Sequence, residues 1–468
     1  MIDTNTIKDR ILSFAYQGRL VESNKLSNDA IEAIQESIKG YIPVSEEEYL
    51  LDIPKEWKWT RLGYVISNHG QITPSETFSY IDVGTLDNVN HRLSSHENIV
   101  EAKDAPSRAK KVVETGDVIY STVRPYLHNI CIIDKEFSCT PIASTAFCVM
   151  HANEEVLDNK YLFYWLLTKE FDKYSNGDPS KGALYPAIGE KDLLRGVIPL
   201  PAISEQKAIV EKIEAVFEIL DKINVLQNQY DSNQEALKSK IIDAGIKGEL
   251  SEQLDGDGTA EELLKEIDAE RKQLEDRGII EKVNPFPVVA EEEKPYSIPE
   301  NWLWTRFGNI SYIVRGGSPR PIKQYITDAD NGINWIKIGD VEKGKKYIYG
   351  TKEKIIPEGE KKSRRVYPGD FLLTNSMSFG RPYISKIEGC IHDGWLLIRN
   401  LNGFDTDYLY YLLSSTYLYN QFCKKASGST VNNLNIDKVN TAIIPLPPLA
   451  EQKRIAGRID ELLEALPQ

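Results

Sequence analysis

From Ser204 to Ala244 the chain carries neither proline nor glycine, and its core-type positions fall alternately four and three residues apart. They are Ile209, Ile213, Val216, Leu220, Ile223, Gln227, Tyr230, Gln234, Leu237, Ile241 and Ala244. This is a heptad stripe sustained over about five heptads, and it predicts one continuous helix capped near Ser204. At 1.5 Å per residue, 40 residues make a rod of about 60 Å, and its stripe needs a partner. The stripe starts again at the C-terminus as Ile455, Ile459, Leu462 and Leu466, and then the chain stops. The end of such a helix stands instead at the N-terminus: Ile7 to Leu20 resembles Leu237 to Leu250 at an offset of 230. The spacing therefore predicts two antiparallel helical connectors, encoded as a closed two-fold ring of parts cut within one helix.

Shorter patterns repeat as well. Ile53-Pro54 with Trp57, Trp59, Thr60 and Arg61 returns at an offset of 245 as Ile298-Pro299 with Trp302, Trp304, Thr305 and Arg306. Ile198-Pro199-Leu200-Pro201 before Glu205-Gln206-Lys207 returns as Ile444-Pro445-Leu446-Pro447 before Glu451-Gln452-Lys453. Between each opening and closing, short apolar runs alternate with turn signals, as in small mixed sheets with peripheral helices. Gly116-Asp117 and Gly369-Asp370 each predict a tight turn feeding a buried strand. Tyr161 to Leu167 and Tyr408 to Leu413 predict apolar helices, and the four tryptophans read as packing anchors. The enclosed contents are otherwise largely dissimilar, which suggests one chassis carrying two different reading heads. Thr259 predicts the cap of a further amphipathic helix reaching about Asp276.

Composition changes this picture in one respect. The net charge of −14 argues against a nucleic-acid partner until its distribution is resolved. Residues 299–444 hold 20 Lys+Arg against 14 Asp+Glu, residues 54–198 hold 16 against 19, and the remainder holds 20 against 37. The acid is concentrated in the connectors. Basic residues gather ahead of both Gly-Asp turns: Arg108, Lys110 and Lys111 in the first domain, and Lys361, Lys362, Arg364 and Arg365 in the second, with Lys345 and Lys346 upstream. Arg124-Pro125-Tyr126 and Arg381-Pro382-Tyr383 follow the turns, and Lys181-Gly182 and Gly428 mark a recurring glycine loop. Such residues suit phosphate neutralisation or readout of guanine edges; the competing reading is ordinary solvated loops.

No phosphate-binding glycine loop, helical His pair or cysteine pair stands out, and the six histidines look scattered. No catalytic residue and no metal site is expected. No apolar run is long enough to span a bilayer, and no leader pattern opens the chain. A cytoplasmic protein is expected.

The duplicated openings, Gly-Asp turns, glycine loops and IPLP closings, with the helix ends Ala244 to Leu250 and Ala15 to Leu20, resemble the specificity (S) subunit of Type I restriction-modification enzymes. The resemblance implies an α+β chain with two pseudo-repeated target-recognition domains separated by two long antiparallel coiled-coil helices. The expected parts are an N-terminal helical segment (1–53), a first recognition domain (54–198), a central helix and linker (199–298), a second recognition domain (299–444) and a C-terminal helix (445–468). Each domain is expected to read one half of an asymmetric, bipartite double-stranded DNA site. The helices are expected to set the spacer and to dock two methyltransferase subunits, with Ile209, Ile213, Val216, Leu220, Ile223, Leu237, Ile241, Ile455, Ile459 and Leu462 at the helix–helix and subunit interface. Restriction (translocase/nuclease) subunits complete the family's assembly. S-adenosylmethionine, ATP and Mg belong to those partners, with no cofactor in this chain. Two alternatives stay open: the partner of a fused restriction-modification chain, and a coiled-coil scaffold with two protein-binding heads. A third, an autonomous nuclease or methyltransferase, is disfavoured by the absent motifs.

Overall fold

In the computed structural model, each duplicated opening pairs with the closing motif that follows it. The structure describes residues 1–22, 29–176, 187–342, 344–375, 379–426 and 434–467, and the chain divides into two units, Met1–Gln229 and Tyr230–Gln468. Strand Lys58–Arg61 runs antiparallel to Val197–Leu200, with Trp59 opposite Pro199. Strand Leu303–Arg306 runs antiparallel to Ile443–Leu446, with Trp304 opposite Pro445. The opening tryptophans are buried, as expected of anchors.

The conserved spacing continues into side-chain contacts. Arg61 pairs with Glu48 at 2.8 Å, and Arg306 pairs with Glu293 at 2.8 Å, each acid lying 13 residues upstream. The Arg61 guanidinium beside Glu48 holds its carboxyl down to about 2. The closing-motif glutamines are buried and carry three hydrogen bonds each. Gln206 Nε2 donates to the carbonyls of Val156 and Pro201, and its Oε1 accepts from Asp158 N. Gln452 does the same with Gly403, Pro447 and Asp405 N. Asp158 and Asp405 are the N-caps of helices Asn159–Leu166 and Thr406–Ser414, so one amide ties the closing motif to the start of the main domain helix.

The first unit holds two four-stranded sheets. One has the order Ile66–Ser67, Phe147–Ala152, Val118–Ser121, Ile130–Ile132; the other has Ile99–Val100, Phe78–Ile81, Pro141–Ser144, Ala109–Val112. The second unit repeats both orders and adds an edge strand to each, Tyr347–Ile348 and Ile326–Thr327. The strand after each Gly-Asp turn is buried on both faces, which explains its unbroken apolar run. Val118 and Tyr120 face the helical core, while Ile119 faces a separate cluster between the sheets. Phe371 and Leu373, against Leu372, repeat that alternation.

The 44-residue helix Ile203–Ile246 starts one residue before Ser204 and continues through Gly245. Gly245 is a close approach rather than a stop, because a Cβ there would lie 2.6 Å from Ile459 Cδ1. The chain turns at Gly248 (φ +82°), as the N-terminal helix Thr4–Tyr16 turns at Gly18 (φ +69°). Glu249 N donates to Ala244 O and Arg19 N to Phe14 O, which is the Schellman termination. Both glycines press on the proline of an opening motif, Pro54 or Pro299. The two helix ends recognised at an offset of 230 are therefore the same structural joint.

In the first unit the N-terminal helix lies antiparallel along the start of the long helix. Lys8 pairs with Asp221, Ile2 N donates to Gln227, and Leu12, Ala15 and Tyr16 share a core with Ile209 and Ile213. In the second unit the C-terminal helix Leu449–Glu464 lies antiparallel along its end. Ile455 and Ile459 pack with Ile241, Ile242 and Ile246, and Pro467 O accepts from Tyr230. The predicted stripe is thus buried at its two ends: Leu220 is buried and Val216, Ile223 and Leu462 are half-buried, but Tyr230 and Leu237 are exposed, as are Val225 and Leu226 off the stripe. The two flanking helices together are shorter than the long one, so its middle faces solvent within each unit. The linker helix Ala260–Asp276, capped by Thr259 as expected, buries Leu263 and Ile267 in the second core.

Candidate nucleic-acid interface

The second unit presents most of its predicted cations at the rim. Lys361 and Lys362 end the turn Pro357–Lys362, and both are exposed. Lys362 Nζ donates to Tyr325 Oη at 2.7 Å and sits over that ring. Arg364 opens the edge strand Arg364–Val366 and is exposed. Arg365 points elsewhere, paired with Glu360 and Glu388 at 3.3 and 3.0 Å, and the hydrogen bond it donates to Glu388 pushes its affinity for the proton up. Exposed Lys345 joins Arg381, Phe379 and Tyr383 around a concavity of about 560 Å³. Phe379 and Tyr419 stack there with centroids 5.7 Å apart. Cations beside aromatic faces suit phosphates and unstacked bases alike. Lys346 is instead paired with Asp407 and lies over Tyr410 and Tyr411.

The first unit uses its cluster differently. Arg108 is exposed and Lys110 half-buried, but Lys111 is 6% exposed, with Nζ 2.9 and 2.7 Å from the two oxygens of Glu190. Lys111 is thereby corrected from a phosphate contact to an internal ion pair, since its edge strand Ala109–Val112 turns that side chain toward helix Glu190–Arg195.

The paired Arg-Pro-Tyr motifs are not structural equivalents. Arg124 and His128, both left-handed (φ 51° and 49°), frame the short turn Pro125–Leu127, leaving Tyr126 48% exposed. Arg381-Pro382-Tyr383 instead leads into strand Pro382–Ser385, and strand register sets Tyr383 at the position of Cys131. Tyr383 is 3% exposed and meets Trp395 edge-on, so it supports the fold rather than offering a free face. Lys181, Gly182 and Gly428 lie outside the described residues.

Sequence spacing gave no sign of one further cluster. His69 and His151, which look scattered in the chain, meet at the buried carboxylate of Asp117, and their candidate ligand atoms lie within 4.8 Å of one another. His151 is the polar position that breaks the apolar run of strand Phe147–Ala152, a signal visible in the sequence, but its meeting with His69 is not.

The same duplicated stretches carry the likeness to known proteins. Residues 54–229 and 299–467 match the family described as Type I restriction modification DNA specificity domain. The Type I restriction enzyme EcoAI specificity subunit of Escherichia coli is 22% identical over 98% of this chain and 88% of the relative. The MjaVIII specificity subunit of Methanocaldococcus jannaschii is 25% identical over 69% of this chain and 68% of its own. Among solved structures, a chain from work on complex assembly and conformational transition of the type I R-M system superposes with a TM-score of 0.67. It is 25% identical and the match covers 88% of this chain and 92% of that one. The HsdS subunit from Thermoanaerobacter tengcongensis, also 25% identical, gives 0.50 over 88% and 90%. Two matched stretches that coincide with the two duplicated frames leave one assignment: the chain belongs to the Type I restriction-modification DNA specificity family.

Proposed function

We propose that this chain is the non-catalytic specificity subunit of a cytoplasmic Type I restriction-modification enzyme. Each unit reads one half of an asymmetric bipartite site in double-stranded DNA. The long helix, flanked by the terminal helices, sets the spacer between the half-sites and docks two methyltransferase subunits, with restriction subunits joining that core. S-adenosylmethionine, ATP and Mg act in those partners. The reading is carried by one observation: the two frames share strand register, buried glutamines and Arg–Glu pairs, while the edge strands and rims they enclose differ. A constant mount with variable contents suits two readers of different sequences. The exposed helix middle, with Val225, Leu226 and Leu237, supplies an apolar surface for a docked subunit.

The test is co-expression with a Type I methyltransferase subunit from the same source, followed by long-read mapping of adenine methylation. One asymmetric two-part motif is expected. Replacing residues 299–444 with the matching domain of a relative changes one half-site and spares the other. Methylation at a single undivided motif, or a change in both halves, overturns the reading.

A further inference from the structure

Asp117 and Asp370 close the two Gly-Asp turns, and each is buried, at 0% and 7% exposed. Each accepts a backbone hydrogen bond from three residues upstream, Glu114 N at 2.7 Å and Tyr367 N at 2.9 Å. The two differ in what neutralises them. In the second unit Arg399 donates twice, Nε to Oδ1 at 3.1 Å and Nη2 to Oδ2 at 3.0 Å. Strand register puts His151 at the position of Arg399: Met150 faces Val118 as Ile398 faces Phe371, and Ala152 faces Ile66 as Asn400 faces Ser311. Among the described residues no lysine or arginine pairs with Asp117. Its Oδ1 lies 2.9 Å from His151 Nδ1 and 3.2 Å from His69 Nε2.

A buried carboxylate needs a cation, and a neutral imidazole supplies only a hydrogen bond. We propose that a divalent transition-metal ion of the Zn²⁺ class fills, in the first unit, the role of the Arg399 guanidinium, bound by His69 Nε2, His151 Nδ1 and Asp117. The donor set is two imidazoles and one carboxylate, a borderline combination that zinc favours. Zn–N and Zn–O distances of about 2.0–2.1 Å place tetrahedral donors about 3.3 Å apart. The two Asp117–imidazole spacings, 2.9 and 3.2 Å, already match this closely, and the two imidazole nitrogens, which lie within 4.8 Å, close toward each other on binding. The other nitrogen of His69 faces Glu114 at 3.5 Å, the carboxylate–histidine arrangement that orients a metal ligand. The His151 side chain is 39% exposed, which gives the ion an entry path and leaves a fourth position for water. The ion ties strands Ile66–Ser67 and Phe147–Ala152 to the Gly-Asp turn. It is structural, and sits in one unit only.

The test uses the full, untagged chain, stripped with chelator and titrated with Zn²⁺ by equilibrium dialysis and thermal melting. Binding of one ion per chain, with a rise in melting temperature, is expected. His69→Ala abolishes that ion, and Glu114→Gln weakens it about tenfold. His151→Arg also abolishes binding, yet melts at or above the temperature of the stripped chain because it recreates the pairing of the second unit. Replacing His128, outside the cluster, leaves the titration unchanged. Co²⁺ should give the intense visible bands of a tetrahedral site, lost in His69→Ala. No saturable binding by the folded chain, or binding that survives His69→Ala, overturns the proposal.

Discussion

Lys111 and Arg364 stand six residues before the buried aspartates of their respective turns, yet one is turned inward and the other outward. Lys111 is 6% exposed against Glu190, the first residue of helix Glu190–Arg195. The corresponding helix of the second unit, Ile436–Asn440, begins with Ile436, which offers no charge, and Arg364 is exposed. The mount is the same in both units, and a single neighbour decides whether a cation serves the core or the solvent. Positions near the aspartates therefore cannot be carried from one unit to the other as DNA contacts. The buried frame can be, because the three hydrogen bonds of its closing glutamine and its Arg–Glu pair are duplicated in both units.

The comparison breaks most severely if the frame is not shared. Gln206→Leu and Gln452→Leu each strand three backbone groups, so each should cost about 3 kcal/mol in urea unfolding, to a similar extent. A large loss in one and none in the other would refute equivalence. The cation pair should then separate cleanly. Lys111→Ala leaves half-buried Glu190 unpaired and should cost about 2 kcal/mol of stability. Arg364→Ala should change stability by less than about 0.5 kcal/mol but reduce the salt slope of DNA binding by about one. Ile436→Glu sharpens the point: an acid there should draw Arg364 inward and weaken DNA binding in the same way.

A smaller asymmetry concerns the first tryptophan of each opening. Trp302 Nε1 donates to buried Glu451 at 2.8 Å, whereas Trp57 Nε1 makes no hydrogen bond among the described residues. Trp302→Phe should therefore destabilise by about 1–2 kcal/mol more than Trp57→Phe, measured by denaturant midpoints. The smallest effect is acid dependence at the Arg61–Glu48 pair. The folded carboxyl, at about 2, binds its proton more weakly than the unfolded one near 4.5, so the pair stabilises above that value. Its contribution should fade as pH falls from about 4.5 toward 2, and Glu48→Gln should flatten that part of the profile. Because the pair is partly exposed, the difference should stay under about 1 kcal/mol.

The frame was legible in the chain because it is made of local regularities. The heptad spacing announces the long helix, Thr259 announces the linker helix, and the glycines at an offset of 230 announce the two Schellman ends. The rim was less legible. Arg-Pro-Tyr looked like a repeat, but the loop before strand Pro382–Ser385 places its Arg at the loop end, while Arg124 sits mid-loop beside Pro125–Leu127. A tripeptide does not report the register of the strand that follows it.

The sequence by itself determined two copies of one mount, joined through a helix whose partner is split between the chain ends. Periodicity of 3.6 or 2 and the special backbone of glycine and proline are properties of neighbours in the chain. Only the tertiary structure decided that Gly245 lets Ile459 approach, that Lys111 faces Glu190, and that His69 and His151 meet at Asp117. Those contacts join residues 34 to 214 positions apart. They depend on strand register and helix packing, where a shift of one residue turns a side chain from core to solvent.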